Sequence, residues 1–332
     1  MDSERSDMHI PDGYLSPKTC AFFFIAMVPI WYLASKKAEK TLKLKQLPLL
    51  ALGAAFTFVI MMFNIPIPGG SSGHMVGSVI VSAVLGPWAA VVALSLTLTL
   101  QAFLFGDGGI TALGANSFNM AILMCFPGYY VYRAISAGSP SGLRVIIASG
   151  VAGYIALNLA ALGVALELGI QPLIAAGIDG TPMYAPYPLS VTIPAMMIPH
   201  LLFLGPVEAV GTALVVSYIH RTNSGLFYGG EGRMRPLWIA FMIILFLVPI
   251  GLVATGTPWG EWSMEEVKDI LGYLPSGMAQ SGSGWKGLLP DYSIPGVEGR
   301  LGVVLAYIFS ALAGSVVVVF LIYLWGRLWR RQ

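Results

Sequence analysis

The chain has 332 residues, of which 56% are hydrophobic and only 10% charged, with a formal net charge of +2. Its mean hydropathy is +0.77. A soluble domain carries about 25% charged residues, so this composition excludes a soluble globular protein, a disordered chain and a nucleic-acid binder. An outer-membrane barrel is disfavoured because its strands alternate in polarity, whereas here the apolar runs are unbroken. What remains is an all-α, polytopic integral membrane protein, multi-pass in the cell membrane. Cys20 and Cys125 both sit in apolar stretches and form no metal motif or disulfide framework.

Residues 1–7 are polar, and no short apolar segment with a cleavage site follows them. A helix needs about 20 apolar residues to cross the hydrocarbon core. In chain order, spans are expected at 20–35, 48–64, 76–105, 115–132, 144–166, 190–220, 237–256 and 301–325. The third is too long for one crossing and contains Gly86-Pro87. Proline inside a helix removes a hydrogen bond and clashes with the preceding turn, so it is either one kinked helix or a hairpin of 76–85 and 88–105. Basic residues decide between them, since cytoplasmic loops are enriched in Lys and Arg. Only the hairpin puts Lys36–Lys45, Arg133 with Arg144, Arg221 with Arg233 and Arg235, and the tail Arg327, Arg330 and Arg331 on one side. The expectation is nine spans, N-terminus outside and C-terminus inside.

That orientation makes the outer face acidic, with Asp12, Asp107, Glu167, Asp179, Glu261, Glu265, Glu266 and Asp269. Acidic residues barely affect topology, and an acidic mouth attracts cations; ordinary solvated loops are the simpler reading. Positions 257–300 are rich in Gly, Ser and Pro and read as an external linker or small external module. The chain divides into a core of seven spans at 1–235 and a two-span C-terminal unit at 236–332.

Four polar groups can carry chemistry. His9, in Met8-His9-Ile10-Pro11-Asp12-Gly13, and His74, in Gly69-Gly70-Ser71-Ser72-Gly73-His74, both fall at the outer face. Histidine is the commonest metal ligand, although solvated loop histidines are the blander alternative. In a chain that begins at Met8, the free amine, the His9 amide nitrogen and the His9 imidazole chelate one ion in five- and six-membered rings, and His74 completes four nitrogens. Tetragonal nitrogen sites suit Ni(II) or Cu(II) rather than Zn(II). With residues 1–7 attached, the Met8 nitrogen is an amide. A third group is Gln101, Gly106-Asp107-Gly108-Gly109, Asn116 and Asn119. Carboxamides in a span face the bundle interior, either as support for a binding loop or in plain interhelical bonding. The fourth is Pro199-His200 with Gly205-Pro206-Val207-Glu208. A charge at mid-helix costs about 2.5–3.5 kcal/mol on insertion scales, so Glu208 is a site candidate, or else a structural partner of some polar group. His220, beside Arg221, reads as interfacial. The chain has no Gly-x4-Gly-Lys-Ser/Thr phosphate loop and no His-Glu-x-x-His, so nothing reads as an intramembrane enzyme.

The runs MHIPDGYLSP (8–17), PGGSSGHMVG (68–77), QAFLFGDGGITALGANSFNMA (101–121) and HLLFLGPVEAVGTAL (200–214) resemble the substrate-binding subunits of energy-coupling-factor nickel and cobalt transporters, the CbiM/NikM family. The resemblance covers most of 8–235. It implies a seven-span core whose N-terminus enters from outside, with the metal on the Met8 amine, the His9 amide and imidazole, and His74. The carboxamides Gln101, Asn116 and Asn119, with His200 and Glu208, would shape the pocket. The C-terminal unit, with Leu289-Pro290-Asp291-Tyr292, looks like the two-span CbiN/NikN-like accessory subunit, fused here. Family members begin at the methionine of MHIPDG, so the expected start is Met8. The resemblance also implies a transmembrane coupling (T) subunit and cytoplasmic ATPase (A) subunits as partners. The small-xxx-small pattern Ala51-x3-Ala55 is a candidate docking face for the coupling subunit, or else packs within this chain.

The expected function is capture of Ni²⁺ or Co²⁺, carried as substrate rather than held as a permanent cofactor. Binding would weaken in acid because the donors must lose protons. The rivals are uptake of another solute such as a vitamin, and an intramembrane enzyme built on Glu208 and His200.

Overall fold

The computed structural model describes residues 9–68, 70–137, 141–228, 232–254, 256–281 and 285–329; the expected ligand Met8 lies outside them. Helix α1 (Pro17–Thr41) begins where Ser16 caps it, its hydroxyl accepting from Thr19 N–H and Pro17 filling the first turn. Helix α2 (Leu47–Met61) follows. A short hairpin, β1 (Ile65–Ile67) and β2 (Ser71–Gly73), then pairs antiparallel with Ile65 opposite Gly73. Helices α3 (Ser78–Leu85) and α4 (Pro87–Leu100) meet at Gly86, so the break expected at Gly86-Pro87 is real. Helix α3 has eight residues and rises about 12 Å, under half of a hydrocarbon core.

The next stretch is α5 (Leu113–Ser117), a π-helical stretch Phe118–Leu123 and α6 (Cys125–Ser136), interrupted at Met124. Helix α7 (Gly142–Gly169) is followed by the single turn α8 (Gln171–Ile174). The expected span 190–220 is one continuous helical rod, α9 (Leu189–Pro199), a π-helical turn His200–Leu204 and α10 (Gly205–Asn223). Pro194 and Pro199 lie inside it, and the wider π turn accommodates the backbone bonding that proline disturbs. The C-terminal unit holds α11 (Met234–Leu247), α12 (Met264–Leu271), α13 (Ser276–Ser281) and α14 (Arg300–Trp329). Region 257–300 is therefore a small folded module: Ser263 and Glu266 form a reciprocal cap at the start of α12.

Seven helical segments among the described residues are long and apolar enough to cross a membrane: 17–41, 44–61, 87–105, 142–174, 189–227, 234–253 and 300–328. Phe22, Ile25 and Tyr32 on α1, and Leu301, Leu305, Phe309 and Phe320 on α14, point outward and exposed. In water such a surface would aggregate; in lipid it is the solvated face. The protein is a multi-pass membrane protein. Helix α2 is enclosed by α4 and α14, with Ala51 and Ala55 fully buried. The small-residue pattern expected as a docking face thus serves packing inside this chain, where small side chains let helices approach closely.

Candidate metal centre

Three π-helical turns occur among the described residues, and each carries a polar residue singled out by the sequence: Gln101 in 101–105, Asn119 in 118–123 and His200 in 200–204. Such turns widen a helix and recur at functional sites. The second and third border a cavity of about 90 Å³ lined by His9, His74, Asn116, Asn119, His200 and Glu261, with Met120, Met124 and Met196 along its apolar wall.

His9 is 3% exposed. Its segment is threaded into the protein and tied at three points. Asn116 grips the Ile10 backbone in both directions, its Oδ1 accepting from Ile10 N–H at 3.1 Å and its Nδ2 donating to Ile10 O at 3.1 Å. Gly109 N–H donates to Ile10 O at 2.9 Å. Asp12 accepts from the backbone N–H groups of Ile110 (3.1 Å) and Thr111 (2.8 Å), and from the Thr111 hydroxyl. Gly108 sits at φ +82, and a Cβ there would lie 2.8 Å from the His9 Cβ, so only glycine lets the 106–109 loop pass this close.

The imidazoles of His9 and His74, 65 residues apart in sequence, stand edge to face with centroids 5.3 Å apart. His9 Nδ1–H donates to Asp107 Oδ1 at 2.9 Å. Its Nε2 is buried with no hydrogen-bond partner among the described residues. His74 Nδ1 is 3.0 Å from Met75 O, and His200 Nδ1 is 2.7 Å from Met196 O. Each imidazole thus spends one ring nitrogen on a protein acceptor, the arrangement that orients metal-binding histidines. The six-membered ring of the expected chelate closes through Nδ1 of His9, the atom that here faces Asp107. Among the described residues no three His, Cys, Asp or Glu side chains are grouped to hold an ion, so two imidazoles need further donors from outside that set.

The other expected residues act at one remove. Gln101 stays off the cavity; its Nε2 donates to Asp107 Oδ2 (3.4 Å) and to Tyr292 Oη (3.1 Å). Asn119 lines the cavity while its Nδ2 donates to Glu167 Oε2 at 2.9 Å. Glu208, fully buried, accepts from Val76 N–H at 2.9 Å and Gly77 N–H at 3.0 Å, with Thr212 at 3.4 Å. The polar partner of Glu208 is therefore the backbone just after His74. The acidic outer mouth is corrected in part: Asp107 and Glu167 are 4% and 5% exposed and bonded internally.

Two residues were given no role of their own in the sequence reading of the site. Asp107 stood in the third polar group, within the Gly106–Gly109 run, and was also counted as a surface acid. Tyr292, in the fused unit, donates its hydroxyl to Asp107 Oδ2 and stacks on Phe105 with centroids 4.6 Å apart. Burial, and then the Asp107 carboxylate, push the Tyr292 phenol well above its ordinary value, so it remains a donor. The C-terminal unit also roofs the site: Trp259 and Glu261 line the cavity, Tyr14 Oη donates to Trp262 O at 2.7 Å, and Ser72 Oγ donates to Gly256 O at 2.5 Å.

The family model described as the cobalt uptake substrate-specific transmembrane region (CbiM) matches residues 9–226, and that of the PDGLE domain matches 235–331. The chain is 44% identical to the fused nickel transport protein NikMN of Rhodobacter capsulatus, over 94% of this chain and 95% of that one. It is 43% identical to the fused protein LarMN of Lactiplantibacillus plantarum, a probable nickel transport protein, over 95% and 96%. A solved structure described as a truncated transition metal transporter superposes with TM-score 0.61 at 52% identity, covering 64% of this chain and 99% of that one. The chain belongs to the CbiM family of membrane metal-transport proteins, with a PDGLE domain joined at its C-terminal end.

Proposed function

We propose that this chain is the substrate-capture subunit of an ATP-driven energy-coupling-factor importer for Ni²⁺ or Co²⁺, with His9 and His74 as metal ligands. The observation that carries the reading is the pair of imidazoles 5.3 Å apart, one with a buried Nε2 that has no hydrogen-bond partner among the described residues. An unpaired nitrogen in a low-dielectric cavity is costly unless a ligand completes it. Nitrogen donors on an open, oriented site suit Ni²⁺ and Co²⁺. Two of the relatives are themselves named as nickel transport proteins.

A further nitrogen is expected from the Met8 amine; Nδ1 of His9 stays on Asp107 and Nε2 faces the ion. On this reading 1–235 is the metal-binding core and 236–332 the accessory unit, with the N-terminus outside. The coupling (T) subunit and the ATPase (A) subunits are separate chains, consistent with the missing phosphate loop. Isothermal titration of the detergent-purified full chain with NiCl₂ and CoCl₂ tests this. Tight binding is expected, lost in His9→Ala and in His74→Ala; unchanged affinity in both variants refutes the site.

A further inference from the structure

One side chain of the C-terminal unit, Tyr292, reaches the carboxylate that holds the His9 imidazole. Residues 288–292 approach the end of α4 so closely that Leu288 N–H and Leu289 N–H both donate to Leu104 O at 2.8 Å. A Cβ on Gly106 would lie 2.5 Å from Lys286 O. Asp291 and Tyr292 then take left-handed backbone conformations, φ 51 and φ 60, which non-glycine residues adopt only where the surroundings hold them. Ser310 Oγ on α14 holds the Tyr292 carbonyl at 2.9 Å, and Tyr307 packs edge-on at 5.7 Å. This kink turns the phenol inward onto Phe105, where it meets the Asp107 Oδ2 oxygen while Oδ1 of the same carboxylate takes His9 Nδ1–H.

We propose that Tyr292 is a positioning residue of the metal site, fixing Asp107 so that the His9 imidazole is held in its metal-binding orientation only while the C-terminal unit is docked. The proposal rests on the reading of His9 as a ligand. One carboxylate bonded on both sides is a rigid link: the phenol sets its angle, and it sets the ring. Outer partners of a metal-binding histidine commonly change affinity by about 10–100-fold. The Tyr292–Asp107–His9 chain therefore ties the metal affinity of the core to the seating of a segment nearly two hundred residues away. A partner subunit that pulled on 285–292 would loosen the ion without touching it.

The test is a double-mutant cycle on the full chain in detergent, titrated with NiCl₂ and followed also by the Ni(II) ligand-field absorption band. Tyr292→Phe keeps the ring and its stacking and removes only the hydroxyl. It is expected to weaken nickel binding about tenfold and to shift the band. Asp107→Asn is expected to weaken it at least as much, and Tyr292→Phe added to Asp107→Asn to cost less than about twofold more, the non-additivity of residues acting through one contact. Wild-type affinity and spectrum in Tyr292→Phe overturn the proposal. So does an equal loss in both backgrounds, which is what a structural role alone gives. His9→Ala separates the two readings: if it leaves affinity unchanged, the metal site itself is wrong; if it abolishes binding while Tyr292→Phe matches wild type, only the positioning role fails.

Discussion

Glu208→Gln isolates how the His74 loop is held. The wild-type carboxyl offers one oxygen to Val76 N–H at 2.9 Å and the other to Gly77 N–H at 3.0 Å. Glutamine is nearly isosteric but has one acceptor, so one backbone N–H is left facing an amide NH₂. An unsatisfied buried donor costs about 1–3 kcal/mol. If the loop relaxes rather than bear that cost, His74 is no longer preset, and its ordering is charged to metal binding. At 1.4 kcal/mol per tenfold, the ceiling is a loss of about 5- to 150-fold in affinity. Titration calorimetry with NiCl₂ reads that loss, and thermal unfolding of the metal-free protein reads the stability change beside it. A lower melting temperature with wild-type nickel affinity would refute the argument, because the clamp would then support the fold and not the ligand.

Three further outcomes are expected. Gly108→Ala combines a left-handed backbone with a contact of 2.8 Å to the His9 Cβ, so nickel affinity should fall about tenfold or more; Gly180→Ala, also at positive φ but with nothing within 4 Å, should leave affinity within about twofold, and the two are compared by titration calorimetry. Asn116→Ala removes both bonds to the Ile10 backbone and should lower stability by about 1–3 kcal/mol, seen as a fall in the melting temperature, with weaker metal binding. A variant lacking residues 1–7, with Met8 confirmed as its first residue by intact mass, should bind nickel more tightly than the 332-residue chain, because a free amine replaces an amide as donor; equal affinities would remove the amine from the ligand set.

Helices and candidate ligands were legible because they rest on local signals. Apolar runs of twenty residues, a glycine-proline break and histidines in glycine-rich loops can each be read within a short window. The pairing of His9 with His74 was legible only through the family's motifs, since nothing local says that two loops 65 residues apart will meet. Glu208 was flagged by cost: a carboxyl in an apolar rod needs a partner. Its partner was invisible because the partner is backbone, and backbone N–H groups leave no mark on a sequence. Asp107 was misread for the opposite reason. On a loop it looks like any solvated acid, and only the inserted N-terminal segment and the kinked 291–292 backbone bury it. Ala51 and Ala55 show the same ambiguity between packing inside a chain and packing between chains, settled here by the proximity of α4 and α14 to α2.

The anchors around the site share a design that bears on selectivity and release. Ile10 is held by Asn116, Asp12 holds the 110–111 backbone, Glu208 holds 76–77, and Asp107 holds the His9 ring. None of these contacts needs the ion, so on the proposed reading the two imidazoles are set in place before it arrives. Raw affinity for nitrogen donors favours Cu²⁺ over Ni²⁺ and Co²⁺; fixed donor positions act against ions whose preferred geometry differs, and loosening them lowers discrimination as well as affinity. A site held by several independent clamps also gives up its ion when any one is withdrawn. On the proposed reading, Tyr292 and Asp107 offer such a point of control outside the ligand shell, a route to release that requires neither protonation of the donors nor unfolding of the helices that carry them.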